Sequence, residues 1–206
     1  MTQDELAALF AKNARAVSAE VHEVASLDEA LGHVAALCCA KAPCDQLLDR
    51  LEARPGSSGE LLDAGRLKTL AAPNLDDRLF ADLDRRCRER GVSCLRQGLR
   101  EHLGGVDVGF TLCQAAAADT GTLLLDSACE EVRLATMLAE VHVAAVKKSA
   151  IRPGLLDLEG ELGAMSGKCG GYAACITGPS RTADIERVLA LGAHGPLELV
   201  VLLLEH

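Results

Sequence analysis

The sequence predicts an α/β fold, a three-layer α/β/α arrangement around a largely parallel sheet. Three observations carry that expectation. Short β-branched or aliphatic runs alternate with segments of helical spacing. Several of those runs, Val141–Val146 and Leu199–Leu203 above all, are apolar on both faces, as strands covered on two sides must be. A length of 206 residues suits one core, and with aromatics at only 2% that core must be built from Leu, Val, Ile and Ala.

Taken in order, residues 4–19 carry Leu6, Leu9, Phe10 and Val17 at helical spacing, and residues 1–20 are expected to form a helical arm outside the main fold. A single α/β domain is then expected over 21–206. Residues 21–25 predict a short strand, and Ser26-Leu27-Asp28-Glu29 has the form of a capping box. It opens a helix with Leu27, Ala30, Leu31 and Val34 on one face. Pro55-Gly56-Ser57-Ser58-Gly59 is turn-rich, and 68–72 predicts a strand. Asn74 is placed to cap a helix with the stripe Leu75, Leu79, Leu83, Cys87, and Gly91 to end it. Strands are expected at 106–112 and 122–126. A second capping box, Ser127 to Glu130, opens a helix to about Leu138, and 141–146 is the next strand. The pattern closes with strands at 173–177 and 199–203 around a helix over 183–191 that Gly192 ends.

Charge and cysteine content narrow the function classes. Thirty acidic against 21 basic residues give a net charge of −9, which opposes nucleic acid and anionic membranes as partners. The run Arg85-Arg86-Cys87-Arg88-Glu89-Arg90 falls at a helix C-terminus, where cations meet the negative end of the dipole. Nine cysteines without a signal-type apolar segment in the first twenty residues point to reduced thiols and a cytoplasmic location. The longest aliphatic run, Leu199 to Leu204, is too short to span a bilayer.

Thr177-Gly178-Pro179-Ser180-Arg181-Thr182, followed by Ala183-Asp184 and then His194-Gly195-Pro196, is the segment best suited to holding an anion. The strand 173–177 ends directly in this turn, so Ser180 to Ala183 are expected at the carboxyl edge of the sheet, where such sheets bind ligands. Arg181 would supply a guanidinium fork, and Thr177, Ser180 and Thr182 hydroxyls. A helix cap with a surface arginine fits the same residues.

The turn Ala118-Asp119-Thr120-Gly121-Thr122 can likewise present Thr120, Gly121 and Thr122 to an anion, with Asp119 to orient a hydroxyl or take a proton. An ordinary structural turn has the same composition. Strand alternation puts Glu140 and His142 on one face, so an acid and base pair is possible there, and a hydrogen-bonded structural histidine is the plainer reading. The catalytic candidates are thus Asp119, Glu140 and His142. The ligand-binding candidates are Thr120, Gly121, Thr122, Thr177, Gly178, Ser180, Arg181, Thr182 and His194.

No metal site is expected. There is no CxxC, no two histidines lie three to five residues apart, and Cys38-Cys39-x4-Cys44 has neither zinc nor iron–sulfur spacing. A thiol sensor using these three cysteines is a minor alternative. Dinucleotide, P-loop and nucleophile-elbow motifs are absent as well.

The motifs ADTGT (118–122) and TGPSRTADIE…HGP (177–196) resemble the LUD-domain proteins, specifically the lactate utilization protein C (LutC/YkgG) group, over roughly residues 105–204. That family resembles the superfamily of sugar-phosphate isomerases, CoA transferases and formyltetrahydrofolate cyclo-ligase, which implies its three-layer fold. Where the family usually has proline before the acidic residue of the central strand, this chain has Ala139. The resemblance implies an accessory subunit of a complex that oxidises lactate to pyruvate. Iron–sulfur clusters would then reside in partner proteins, with no cofactor in this chain. A stand-alone isomerase- or transferase-like enzyme acting on a phosphorylated or CoA-linked metabolite is the alternative.

Overall fold

A computed structural model describes residues 1–44, 67–167, 171–182, 190–191 and 195–205. Six parallel strands form the main sheet in the order β1-β12-β7-β4-β2-β3: Ala19–Val24 (β1), Lys68–Ala71 (β2), Val92–Leu95 (β3), Val106–Leu112 (β4), Ala139–Lys147 (β7) and Glu198–Leu204 (β12). The two central strands are buried along almost their whole length, which is why they read as unbroken apolar runs.

Helices α2 (Leu27–Ala40) and α3 (Asp77–Arg88) cover one face. Leu31, Val34 and Leu83 meet Val108, Phe110, Val143 and Leu202 there. Ser26 caps α2 by accepting from the Glu29 amide, and Glu29 takes the Ala25 amide rather than that of Ser26 itself. Asp76, not Asn74, caps α3. Asn74 instead bridges to both backbone groups of Leu112, tying the loop to β4. Behind Cys87 the chain turns at Gly91, whose φ is +67°, and enters β3, a strand that went unpredicted. The arginine run is held by acidic neighbours, Arg85 by Asp82 and Glu89 and Arg86 by Asp82 and Asp28.

The other face carries a mixed layer. Helix α1 (Gln3–Ala16) was expected to stand outside the fold, but it packs on the sheet. Phe10 and Ala14 are wholly buried against residues such as Val201, Leu203 and Ile151. Burying a side chain the size of Phe10 stabilises by roughly 1.5–3 kcal/mol, and that is why the helix docks. A four-stranded sheet lies beside α1 in the order β8-β5-β6-β9: Ala115–Ala117 (β5), Thr122–Asp126 (β6), Ile151–Arg152 (β8) and Ala173–Ile176 (β9). Two strands expected in the parallel sheet, 122–126 and 173–177, therefore belong to this second sheet, paired antiparallel with each other. Its alanines and leucines alternate between the α1 layer (Ala116, Leu123) and an outer cluster (Ala115, Ala117, Leu124) capped by α5 (Glu159–Ser166).

Helix α4 (Glu130–Leu138) completes this face, seating Ala135 against Val106 and Ala71. Cys129 occupies its cap position and makes no side-chain bond there. The second capping box does not form, and the buried Ser127 hydroxyl donates to the Leu125 carbonyl. No helix among the described residues is long and apolar enough to cross a membrane.

Candidate functional site

The two motif turns come together. Asn13 donates its side-chain amide to the carbonyls of Ala118 and Asp119, fixing the 118–122 turn on the C-terminal end of α1. Gly121, at φ +66°, lies so close to that helix that a Cβ would sit 2.7 Å from the Ala14 Cα. The 178 turn rests on the same end of α1: a Cβ on Gly178 (φ +74°) would strike the Val17 carbonyl. Between the turns the Thr177 and Thr122 hydroxyls are 2.8 Å apart, and Thr122 donates to Thr120 at 2.8 Å. Each hydroxyl has a single proton, so Thr177 donates to Thr122 in this arrangement and presents lone pairs outward.

Beside this junction lies a cleft of about 250 Å³, whose polar lining is Thr136, His142, Cys175, Thr177 and Ser180. Its far wall is Gly195, Pro196 and Leu199. The wall is set by backbone bonds: Ser180 donates its amide to the Pro196 carbonyl at 2.9 Å, and Leu197 donates to the Glu140 carbonyl at 2.8 Å. Leu199 pairs with His142 across β12 and β7, near the start of both strands. The cleft therefore opens at the amino ends of the parallel strands, not at the carboxyl edge that the sequence suggested. The reason is that 173–177 belongs to the antiparallel sheet and delivers the turn to the opposite rim.

Arg181 and Thr182 form a short strand (β10) paired antiparallel with Ala190–Leu191 (β11), so Ala190 and Leu191 are not the end of a helix. The body of the helix expected over 183–191, including Asp184, lies outside the described residues, as do His194 and the side chain of Thr182. The same holds for the 55–59 turn. Arg181 lines a second cleft, of about 340 Å³, with Ser18, Glu20 and Glu198; Pro179 and Leu199 form the partition common to both clefts.

The catalytic candidates are dispersed. Asp119 is exposed on the side of its turn facing Gly154, away from both clefts. Glu140 is half-buried and paired with Lys41 at 3.1 Å, in a group that includes the fully buried Asp107. His142 is 1% exposed and its Nε2 lies 2.8 Å from the Thr111 hydroxyl, so the two do not form an acid and base pair. Burial pushes the His142 imidazole down to about 4, leaving it neutral near pH 7.

Asp107 was not foreseen. Burial opposes its charge, yet amide bonds from Thr69 and Cys44 and the nearby Lys41 ammonium hold its carboxyl below the ordinary range. Only its isolation among apolar residues of β4 could have marked it. Cys175 was missed at the cleft because the antiparallel placement of β9 brings it there, and Thr136 because it comes from a separate element, α4. Among the described residues, no three His, Cys, Asp or Glu side chains are arranged to hold a metal ion. Cys38 is buried, with its thiol pushed up to about 12 by desolvation, and Cys44 is buried too.

The family model for the LUD domain matches residues 7–204. The chain is 39% identical over 103 residues to the uncharacterized protein NMB1437 of Neisseria meningitidis, a match covering 50% of this chain and 44% of that protein. It is 31% identical over 102 residues to lactate utilization protein C of Macrococcus caseolyticus (48% and 44% covered). It is 33% identical over 101 residues to YkgG of Escherichia coli (48% and 44% covered). These matches span less than half the length of each relative. A DUF162 family protein of Deinococcus radiodurans has the same fold, with a TM-score of 0.62, 17% identity and 99% of both chains covered. The chain belongs to the LUD-domain family, and within it is similar to the lactate utilization protein C and YkgG group.

Proposed function

We propose that this protein takes part in lactate utilization, as an accessory subunit beside iron–sulfur partner proteins that oxidise lactate to pyruvate, and that it holds a small anion at the motif junction. The likeness to lactate utilization protein C supports the role in lactate utilization; the iron–sulfur partners are part of the proposal. The observation that carries the binding reading is the contact between Thr122 and Thr177 next to a cleft walled by the 178–180 and 195–196 segments. An anion at Thr177 turns that hydroxyl toward itself, and Thr122 and Thr120 follow, so that the line of protons points at the ligand. Arg181, across the Pro179 partition in a cleft it shares with Glu20 and Glu198, is the cation offered to the ligand.

An accessory role is favoured over a stand-alone enzyme by the dispersal of Asp119, Glu140 and His142, which supports no proton-transfer pair. The test is purification of the tagged chain from its native cells. Iron–sulfur partners should accompany it, and the reconstituted set but not the isolated chain should oxidise lactate. Turnover by the isolated chain contradicts the proposal.

A further inference from the structure

Cys38, Cys39, Cys87 and Cys94, four of the nine cysteines of the chain, gather in or against the apolar cluster beneath α2 and α3. The strand register explains the arrival of Cys94. It pairs with Leu70 across β3 and β2, so its side chain points to the same face as that of Leu70, the face that the two helices cover. Cys87, in the last turn of α3, descends on that face and is wholly buried. The six residues between them reverse at Gly91 and return along β3, which packs against α3. The Cys87 and Cys94 thiols therefore meet, each as the hydrogen-bond partner of the other. Cys38 and Cys39 are engaged elsewhere, their thiols directed to the carbonyls of Thr69 at 3.8 Å and Arg90 at 3.9 Å.

Such a contact prepares the pair for oxidation. An S–H that donates to its neighbour eases the loss of the neighbour's proton, which holds the Cys87 thiol below its ordinary range and pushes that of Cys94 up. Cys94 is only partly buried, so a small reagent reaches the pair through its sulfur. β3 is the edge strand of the main sheet, and β4 and β2 separate it from the strands that border the cleft at the motif junction.

We propose that Cys87 and Cys94 form a redox-active dithiol that a hydroperoxide converts to an intramolecular disulfide and a small dithiol restores. The pair gives one proton to solvent and keeps the other between its sulfurs. With that proton on Cys87, the Cys94 sulfur attacks hydrogen peroxide: an S–O bond forms, the O–O bond breaks, and hydroxide leaves to take up the released proton as water. The Cys87 sulfur then attacks that of Cys94; the S–S bond forms, the S–O bond breaks, and the second hydroxide leaves with the Cys87 proton. Two thiols and one peroxide thus give one disulfide and two waters, the two sulfurs supplying the two electrons. The proposal is independent of the anion-binding reading.

The experiment treats the unaltered chain with an equimolar amount of hydrogen peroxide, traps remaining thiols with N-ethylmaleimide in denaturant, and maps tryptic peptides by mass spectrometry. Trypsin cuts after Arg86, Arg88, Arg90 and Arg96, so the disulfide joins Cys87-Arg88 to Gly91–Arg96 in a species that dithiothreitol separates. With the neighbouring thiol at an effective concentration of roughly 1 mM and other chains at about 1 µM, this link should exceed links between chains by about a thousandfold. In Cys94→Ser or Cys94→Ala, whichever folds, Cys87 should stay a free thiol. Oxidation of the exposed Cys129 and Cys175 while Cys87 and Cys94 carry maleimide would overturn the proposal. So would Cys94 sulfinic acid beside an unreacted Cys87, or a link from Cys87 to Cys38.

Discussion

Replacing His142 by Gln should remove a specific part of the acid sensitivity of this fold. The imidazole is held near 4 by burial, against about 6.5 in an unfolded chain. Between those values the unfolded chain binds a proton that the folded protein refuses, so stability rises with pH across that window. The contribution is complete above pH 6.5 and is lost as pH falls toward 4. At about 1.4 kcal/mol per pH unit the loss amounts to roughly 3 kcal/mol. Glutamine can still pair with Thr111 but does not titrate, while groups such as Asp107 and His33 act alike in both proteins. The assay is urea unfolding of both proteins at half-unit steps from pH 7.5 to 4. The stability of the native chain minus that of the variant should drop by about 3 kcal/mol over the series. A difference that stays flat, or that grows as the solution is acidified, refutes the assignment of His142 as a buried neutral group.

Other substitutions probe the frame around the cleft. Gly178→Ala combines a left-handed φ with a collision at the Val17 carbonyl and should cost about 2–3 kcal/mol, read as a lowered Tm by calorimetry. Asp107→Ala leaves the Cys44 and Thr69 amides without their acceptor and takes one of two carboxylates from Lys41, and should cost about 3–5 kcal/mol by denaturant unfolding; a loss under about 1 kcal/mol would contradict the buried-anchor description. A double-mutant cycle of Thr122→Val and Thr177→Val should return a coupling of about 1 kcal/mol, and additivity would mean that the turns are not joined through these hydroxyls. Ser26→Ala should lower stability by about 1 kcal/mol through the loss of the α2 cap.

Sequence and structure agree where burial leaves a periodic or continuous apolar signal. Residues 106–112, 141–146 and 199–203 are strands of the parallel sheet, and Leu31, Val34 and Leu83 are the buried faces of their helices. What the sequence does not express is sheet membership. Residues 122–126 and 173–177 have strand composition, but only their mutual antiparallel pairing assigns them to a second sheet. The three alanines of β5 carry no β-branched signal and are strand only through pairing on both sides. Asp76 displaced Asn74 as a cap because Asn74 can satisfy two backbone groups of Leu112 at once. For the site, the composition of both motif turns was legible, and so was the pairing of hydroxyls with glycines. Their rim was not, since it depends on that second sheet. The separation of Glu140 from His142 depends on Lys41 and Thr111, partners distant in sequence.

The receptacle framed by the 178–180 turn, Pro196 and the Thr122–Thr177 contact is tested most directly by a crystal structure of the protein grown with saturating lactate. Electron density should appear against Ser180, Thr177 and His142, with the carboxylate directed toward Arg181. An empty cleft at that concentration, or ligand bound only elsewhere on the surface, would contradict the assignment.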